Sequence, residues 1–431
     1  MATLKPIRFE FPDATLERLA RRLDDAHLPD TPIVPDAGWK YGTELGKLKQ
    51  ILADWKSGAP ARSDGSHAEG GGVQKWWKGV EKRINRHPHF LVEIEGISVH
   101  YQIAKSKDPD AVPLIFSHGW PGSFFEADLI LDRLSAQSDK GTSFHVVVPS
   151  LPGYGLSGPP PRQGWTLQDT ARVFDTLMTE VLGYKSYAAQ GGDWGYAVTR
   201  FLANHPGCKA YHTNFIVPNP PMYASAIIAA EKVGAKGLAA RTMPWLFSDF
   251  ETGLVKRGLD YLDQGFGYYS IQSTKPASLG YGMHDSPVAV LSWFLDKFQG
   301  WSDPGAPAFA PKSKADSSSG INDENLLINV TLYWLSGTIH TSFLPYKEMG
   351  GLMYQLGTDR KLTAPARDKP YGHSGFPYEL AGSPKAWIPR CGLNLVFYRT
   401  HEKGGHFAAL DNPEALADDV RDFFTESFPR A

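Results

Sequence analysis

Gly191-Gly192-Asp193-Trp194-Gly195 is the stretch that most narrows the folds open to this chain. The pattern Gly-x-acid-x-Gly marks a sharp strand-to-helix turn, with small residues on both flanks so that the backbone can bend that tightly. Upstream, Tyr187-Ala188-Ala189-Gln190 reads as the end of a strand. Downstream, Trp194, Val198, Phe201 and Leu202 recur at helical spacing until Pro206 stops the run. Such an elbow exposes the residue at its apex, here a carboxylate. An aspartate has no hydroxyl to activate, but it can attack carbon directly and form an ester with the protein. That narrows the chemistry to substitution at an alkyl carbon.

The sequence around the elbow alternates strand and helix. Leu114 to Ser117 reads as a strand, Phe124 to Leu134 as a helix and Phe144 to Pro149 as another strand. Thr166 and Asp169 open a helix bearing Ala171, Phe174, Leu177 and Val181 with capping-box spacing. This alternation predicts a parallel sheet covered on both faces. It breaks after 218: residues 219 to about 350 are helical and rich in aromatics, interrupted by a loop from Pro304 to Gly320. The sheet pattern resumes only at Leu393-Asn394-Leu395-Val396-Phe397-Tyr398. A helical insertion between late strands lies over their carboxyl ends, where ligands bind, and reads as a lid.

The first hundred residues are different in character. Asp13 reads as the cap of a helix carrying Leu16, Leu19 and Leu23, and a second helix carries Leu45, Leu48, Leu52 and Trp55. The Gly, Ser and Ala-rich tract between Ser57 and Val73 reads as a mobile surface loop. Alternating apolar residues on either side of Glu95-Gly96 predict a hairpin from Phe90 to Ile103. The expected division is therefore an N-terminal meander segment (1–107), a core in two parts (108–218 and 351–431) and a helical lid (219–350).

Composition excludes several partners. The 431 residues are 42% hydrophobic with a net charge of −2, so a large core is available and no basic face awaits a nucleic acid. Two cysteines, Cys208 and Cys391, offer neither a disulfide scaffold nor a metal cluster, and no His or Cys group has ligand spacing. Neither a signal peptide nor a membrane span is evident, and the last residues are not a peroxisomal tripeptide. A soluble, cytoplasmic protein without metal or cofactor is the expectation.

Other residues complete a chemical site. Gly404-Gly405-His406-Phe407 follows the last strand, where an α/β-hydrolase carries its base, and the order nucleophile, acid, histidine fits. A carboxylate nucleophile needs no deprotonation, so His406 would deprotonate water instead. An acid must hold its tautomer, with Glu348, Asp359, Asp368, Glu379 and Glu402 as candidates; position after the penultimate strand favours Glu379. His118-Gly119-Trp120-Pro121-Gly122 can aim the N–H of Trp120, with that of Trp194, at a developing oxyanion. His118 itself reads as a structural hydrogen-bonding residue. An alkoxide leaving group needs an acid of high pKa, which a lid tyrosine supplies. Tyr261, Tyr268, Tyr269, Tyr281, Tyr333, Tyr346 and Tyr354 are all available.

Taken in order, these stretches resemble the microsomal-type epoxide hydrolases and their soluble fungal members over nearly the whole chain. The similarity runs through Trp39-Lys40-Tyr41-Gly42, Trp77 to Asn85, His118 to Phe124, Gly191 to Gly195, Gly267 to Pro276, Asp285-Ser286-Pro287, Leu332-Tyr333-Trp334, Tyr346-Lys347-Glu348 and Gly404 to Ala409. The resemblance implies an α/β-hydrolase core with a mostly parallel sheet, a helical lid and an N-terminal meander. It implies Asp193 as nucleophile, His406 as base and Glu379 as its charge partner. It also implies Tyr268 and Tyr346 as the paired lid donors, with Tyr269 one residue away as the alternative to Tyr268. The implied reaction converts a small apolar epoxide and water to a vicinal diol, without cofactor, in a homodimer joined through the lid. The membrane anchor of microsomal members is missing here, so membrane attachment is not carried over. Two rivals share the elbow: a haloalkane dehalogenase, which has no use for a tyrosine pair, and a catalytically idle fold that only binds small molecules.

Overall fold

The computed structural model describes residues 4–138, 141–217, 219–232, 242, 245–349 and 366–429. Within these, one sheet organises the molecule, in the order β1-β2-β3-β5-β4-β6-β7-β8-β9. Its strands are β1 (Lys5–Ile7), β2 (His89–Ile94), β3 (Ile97–Ala104), β4 (Val112–Ser117), β5 (Phe144–Pro149), β6 (Tyr187–Gly191), β7 (Cys208–Thr213), β8 (Pro370–Gly375) and β9 (Asn394–Thr400). The β1–β2, β2–β3 and β3–β5 pairs are antiparallel, and every pair from β5–β4 to β8–β9 is parallel. The hairpin turns at Glu95 and Gly96, both with positive φ, as a two-residue turn matched to strand twist requires. Its strands extend the core sheet, so the sheet crosses the boundary drawn at 107.

Helices follow the same logic. α1 (Asp13–Asp24), α2 (Leu45–Ser57) and α3 (Val73–Ile84) bury Leu16, Leu19, Leu23, Leu48, Leu52, Trp55 and Trp77 against the edge of the core. α4 (Leu131–Ser135), α5 (Leu167–Thr176) and α6 (Trp194–Leu202) flank the sheet, and Asp169 accepts the Thr166 N–H at the α5 start. The stretch read as one helix from Phe124 instead begins with a 3₁₀ turn over Phe124–Leu129. The lid comprises α7 (Met222–Lys232), α8 (Asp249–Asp260), α9 (Gly267–Thr274), α10 (Pro276–Asp285), α11 (Pro287–Trp301), α12 (Asp323–Leu335) and α13 (Leu344–Met349). α14 (Ala408–Asp411) and α15 (Pro413–Ser427) close the chain against the sheet.

Three expectations are corrected. Asp13 is the first helical residue and Pro12 the cap, so the carboxylate acts on the helix dipole rather than as a cap. The tract at 57–73 is tied down, not mobile: Arg62 pairs with Glu324 at 2.8 Å and Ser63 donates to Ser319 O at 2.6 Å. It is therefore tied to the end of the Pro304–Gly320 excursion through Ser319 and to the start of α12 through Asn322 and Glu324. Third, the sheet resumes before Leu393, at β8, where His373 and Ser374 break the apolar run, just as Lys209, His212 and Thr213 concealed the buried β7.

α6 docks so closely on β4 that only glycine fits at 195. A Cβ there would collide with Ser117 O and lie 3.0 Å from His118 O. Gly195→Ala is expected to lower the unfolding midpoint sharply. By contrast, nothing lies within 4 Å of a Cβ on Gly253 in α8, so Gly253→Ala should stabilise by about 0.5–1 kcal/mol. Thermal unfolding of the two variants checks both signs.

Candidate active site

The apex of the elbow is strained by construction. Asp193 sits at φ 50°, ψ −126°, a region where a side chain costs about 1–3 kcal/mol. Small neighbours make the bend possible. A Cβ on Gly191 would collide with Gly195 O, and one on Gly192 would lie 2.7 Å from Asn214 Nδ2. Opposite, Gly119 has no room for a Cβ because the Asp193 side chain fills that space.

The two carboxylate oxygens of Asp193 have different partners. Oδ1 accepts the Trp120 backbone N–H at 2.7 Å, and Oδ2 lies 3.1 Å from His406 Nε2. The Trp194 N–H makes no hydrogen bond to this carboxylate; it is among the unpaired donors of the first turn of α6, aimed by the helix dipole. The loop carrying Trp120 is gripped by the lid: α12 donates from Asn329 Nδ2 to Pro121 O and from Tyr333 Oη to Gly122 O.

His406 Nδ1 lies 2.6 Å from Glu379 Oε1, so the imidazole is held between two carboxylates. Both His406 and Glu379 are buried. Burial works against the imidazolium, but the Glu379 charge, reinforced by Asp193, outweighs it and lifts the His406 pKa to about 10. The histidine loop is fixed by His406 N–H to Trp301 O at 2.8 Å and Gly404 N–H to Asp303 Oδ2 at 2.9 Å. Among the other acid candidates, Glu348 binds the Gly164 N–H, Asp368 and Glu402 are exposed, and Asp359 lies outside the described residues. His118 is a neutral structural residue: burial lowers its pKa to about 4, Nδ1 lies 3.1 Å from Gly119 O, and Nε2 accepts from the Leu151 N–H.

The lid brings aromatic rings over the elbow. Tyr268 stacks on Trp120 at 5.4 Å, and Tyr346 stands edge-on to Trp194 at 4.6 Å and to Tyr268 at 5.7 Å. Burial holds both phenols well above their ordinary pKa, so they stay protonated as donors. The Tyr268 hydroxyl pairs with that of Tyr261 at 2.9 Å, and the buried Tyr346 hydroxyl also acts on it. Tyr269 is less buried, with its ring stacked on Phe266. Tyr281 is exposed, Tyr333 is spent on Gly122 O, and Tyr354 lies outside the described residues. These rings close one end of a cavity of about 420 Å³, reaching Asp193 and lined otherwise by apolar residues including Phe215, Leu254, Phe266 and Trp387. Sequence reasoning passed over Tyr261 as the partner of Tyr268, and missed Asn214 and Glu126 beside the elbow. Asn214 follows the concealed β7. Glu126 carried a signal, a carboxylate four residues beyond Gly122 of the Trp120 loop.

Fold and site together define an α/β-hydrolase whose elbow presents a carboxylate where a hydroxyl nucleophile would otherwise stand. The family model for the epoxide hydrolase N terminus matches residues 4–127, and that for the alpha/beta hydrolase fold matches 112–242. Epoxide hydrolase 1 of Sus scrofa is 31% identical over 432 residues, covering 98% of this chain and 88% of that protein. The structure of Aspergillus niger epoxide hydrolase superposes with a TM-score of 0.78 at 30% identity, covering 99% of this chain and 97% of the other. Juvenile hormone epoxide hydrolase from the silkworm Bombyx mori gives 0.79 at 28% identity, with 97% and 93% covered. The chain belongs to the epoxide hydrolase family. No described helix is long and apolar enough to cross a membrane.

The raised His406 pKa fixes the sign of a pH effect. The charged pair stabilises the fold fully below about 6.5, the ordinary histidine value, and is lost as pH rises through about 10. Between those limits the unfolding temperature of the native protein should fall more steeply than that of His406→Gln. Equal slopes in a pH series of melts would contradict the buried ion pair.

Proposed function

We propose that this protein hydrolyses apolar epoxides to vicinal diols through an ester on Asp193. The observation that carries the reading is the pairing of two environments on one carboxylate: Oδ1 on a backbone donor, Oδ2 beside a histidine held by Glu379. Tyr268 and Tyr346 hold the epoxide oxygen while Oδ2 attacks ring carbon from the back side; the C–O bond breaks and a tyrosine O–H protonates the alkoxide. Tyr268 is the better candidate than Tyr269 because its ring is clamped on Trp120 and its hydroxyl is backed by Tyr261. Ester formation removes the Asp193 charge, one of the two that keep His406 protonated, so the imidazolium releases its proton through solvent to the phenolate. Neutral His406 then takes a proton from water, whose oxygen adds to Asp193 Cγ. The N–H groups of Trp120 and Trp194 hold the oxyanion at Oδ1. Collapse expels the diol, which takes the proton from His406, and the acid proton of Asp193 returns to the imidazole.

The apolar lining of the 420 Å³ cavity favours a hydrophobic epoxide whose body lies between α8, α9 and Trp387. Residues 219–350 act in this reading as the lid. A homodimer through that lid is part of the proposal, supported by exposed Met222 and Trp245 on its surface, and a cytoplasmic location is proposed with it.

Intact mass of His406→Gln after exposure to aryl and alkyl epoxides is the test. A gain of the whole epoxide mass is expected, absent when Asp193→Ala or the paired Tyr268→Phe and Tyr346→Phe changes are added. A haloalkane adduct lacking HX, with none from epoxides, would establish the dehalogenase instead; no adduct from any reagent would favour a binder.

A further inference from the structure

Asp193 is the one residue shared by the apolar cavity and a second, smaller one. This inner cavity measures about 10 Å³ to water centres, room for roughly one water molecule. Its polar lining includes Glu126, Asn214, His406 and Asp193, enough partners to hold that water. Asn214 is already committed, accepting from Gln190 Nε2 at 3.0 Å and donating to His406 O at 3.4 Å. Glu126 makes no hydrogen bond to another side chain among the described residues.

Glu126 is built into place. It lies on the 3₁₀ turn directly after the oxyanion loop, and its Oε1 occupies the space where a Cβ on Gly122 would stand. The carboxyl thus reaches back under the Trp120 loop to the elbow, with the Gly119 N–H as a backbone partner. The missing Cβ of Gly122 leaves room for this carboxyl.

An ester on Asp193 has its alkyl group in the apolar cavity, so water must reach Cγ from elsewhere. We infer that Glu126 is a positioning residue that holds the hydrolytic water in the inner cavity between its carboxyl group and His406 Nε2. The inference rests on the ester reading above. Burial lifts the Glu126 carboxyl to about 8, so near neutral pH it is mostly uncharged. A neutral acid can both donate to and accept from one water, and it adds no third anion to keep His406 protonated when it must act as base. The step itself is unchanged: the water oxygen bonds to Cγ, one proton passes to His406, and Glu126 is not consumed.

Glu126→Met keeps the length of the side chain without its polar atoms, and Glu126→Leu serves if Met does not fold. With an epoxide that alkylates wild type, kcat and KM should fall together by about tenfold, leaving kcat/KM within about twofold. The ester should accumulate in the steady state by intact mass. Glu126→Gln, which still donates and accepts, should retain most of kcat. Unchanged kcat in the Met or Leu variant, or a kcat/KM that falls with kcat, would overturn the role. His406→Gln runs alongside: if it too forms no adduct, the ester reading fails, whereas an adduct there with none in the Glu126 variants overturns this inference alone.

Discussion

An imidazolium held between two carboxylates, out of water, is the interaction on which the rest of this molecule turns. A buried charge of that kind is tolerated only when paired and hydrogen-bonded on both sides. Glu379 at 2.6 Å and Asp193 at 3.1 Å meet that need in the resting protein. The pairing has to be breakable on one side only. In the proposed reaction Asp193 loses its charge when it is alkylated while Glu379 remains on Nδ1, and the proton affinity of His406 drops at the moment a base is required. On that reading, the loss of one charge switches the histidine from counter-ion to base.

Holding three groups from distant parts of the sequence in that register explains much of the surrounding architecture. Asp193 is raised on a strained elbow, His406 is pinned by Trp301 O, and Glu379 follows β8, whose partner strands place it beside the histidine loop. Asp411 accepts the Asp303 N–H at 2.7 Å and Asp303 in turn accepts the Gly404 N–H, so the end of α11 and the histidine loop are one hydrogen-bonded unit. Through Asn329 and Tyr333 the lid also grips the Trp120 loop. The lid is therefore tied to the loop proposed to hold the oxyanion, as well as covering the apolar cavity.

Much of this was legible in the chain because the chemistry requires local patterns. The elbow glycines, the loop glycines before His406 and the apolar strands β4 and β5 each carry their constraint within a few residues. What escaped notice depends on tertiary partners. β7 and β8 look too polar to be central strands until His212 is seen beside Ser374 Oγ at 3.0 Å and Tyr371 beside Thr213 at 2.6 Å. Buried, paired polar residues of this kind erase the apolar signature that marks a strand. The tract at 57–73 has no periodicity for a similar reason: its partners are Ser319, Asn322 and Glu324, some 250 residues away around the start of α12. Glu126 was passed over because its one sequence signal, a carboxylate four residues beyond Gly122, gains its meaning only from the missing Cβ of that glycine.

The central claim is that carbon is attacked by Asp193 and not by water. A single turnover with enzyme in excess over epoxide, run in water enriched in heavy oxygen, separates the two directly. The account predicts that the first diol carries no label and that the peptide containing Asp193 gains one heavy oxygen, since water enters at Cγ. Label in the diol with an unlabelled Asp193 peptide would mean direct attack by water, and would contradict the account.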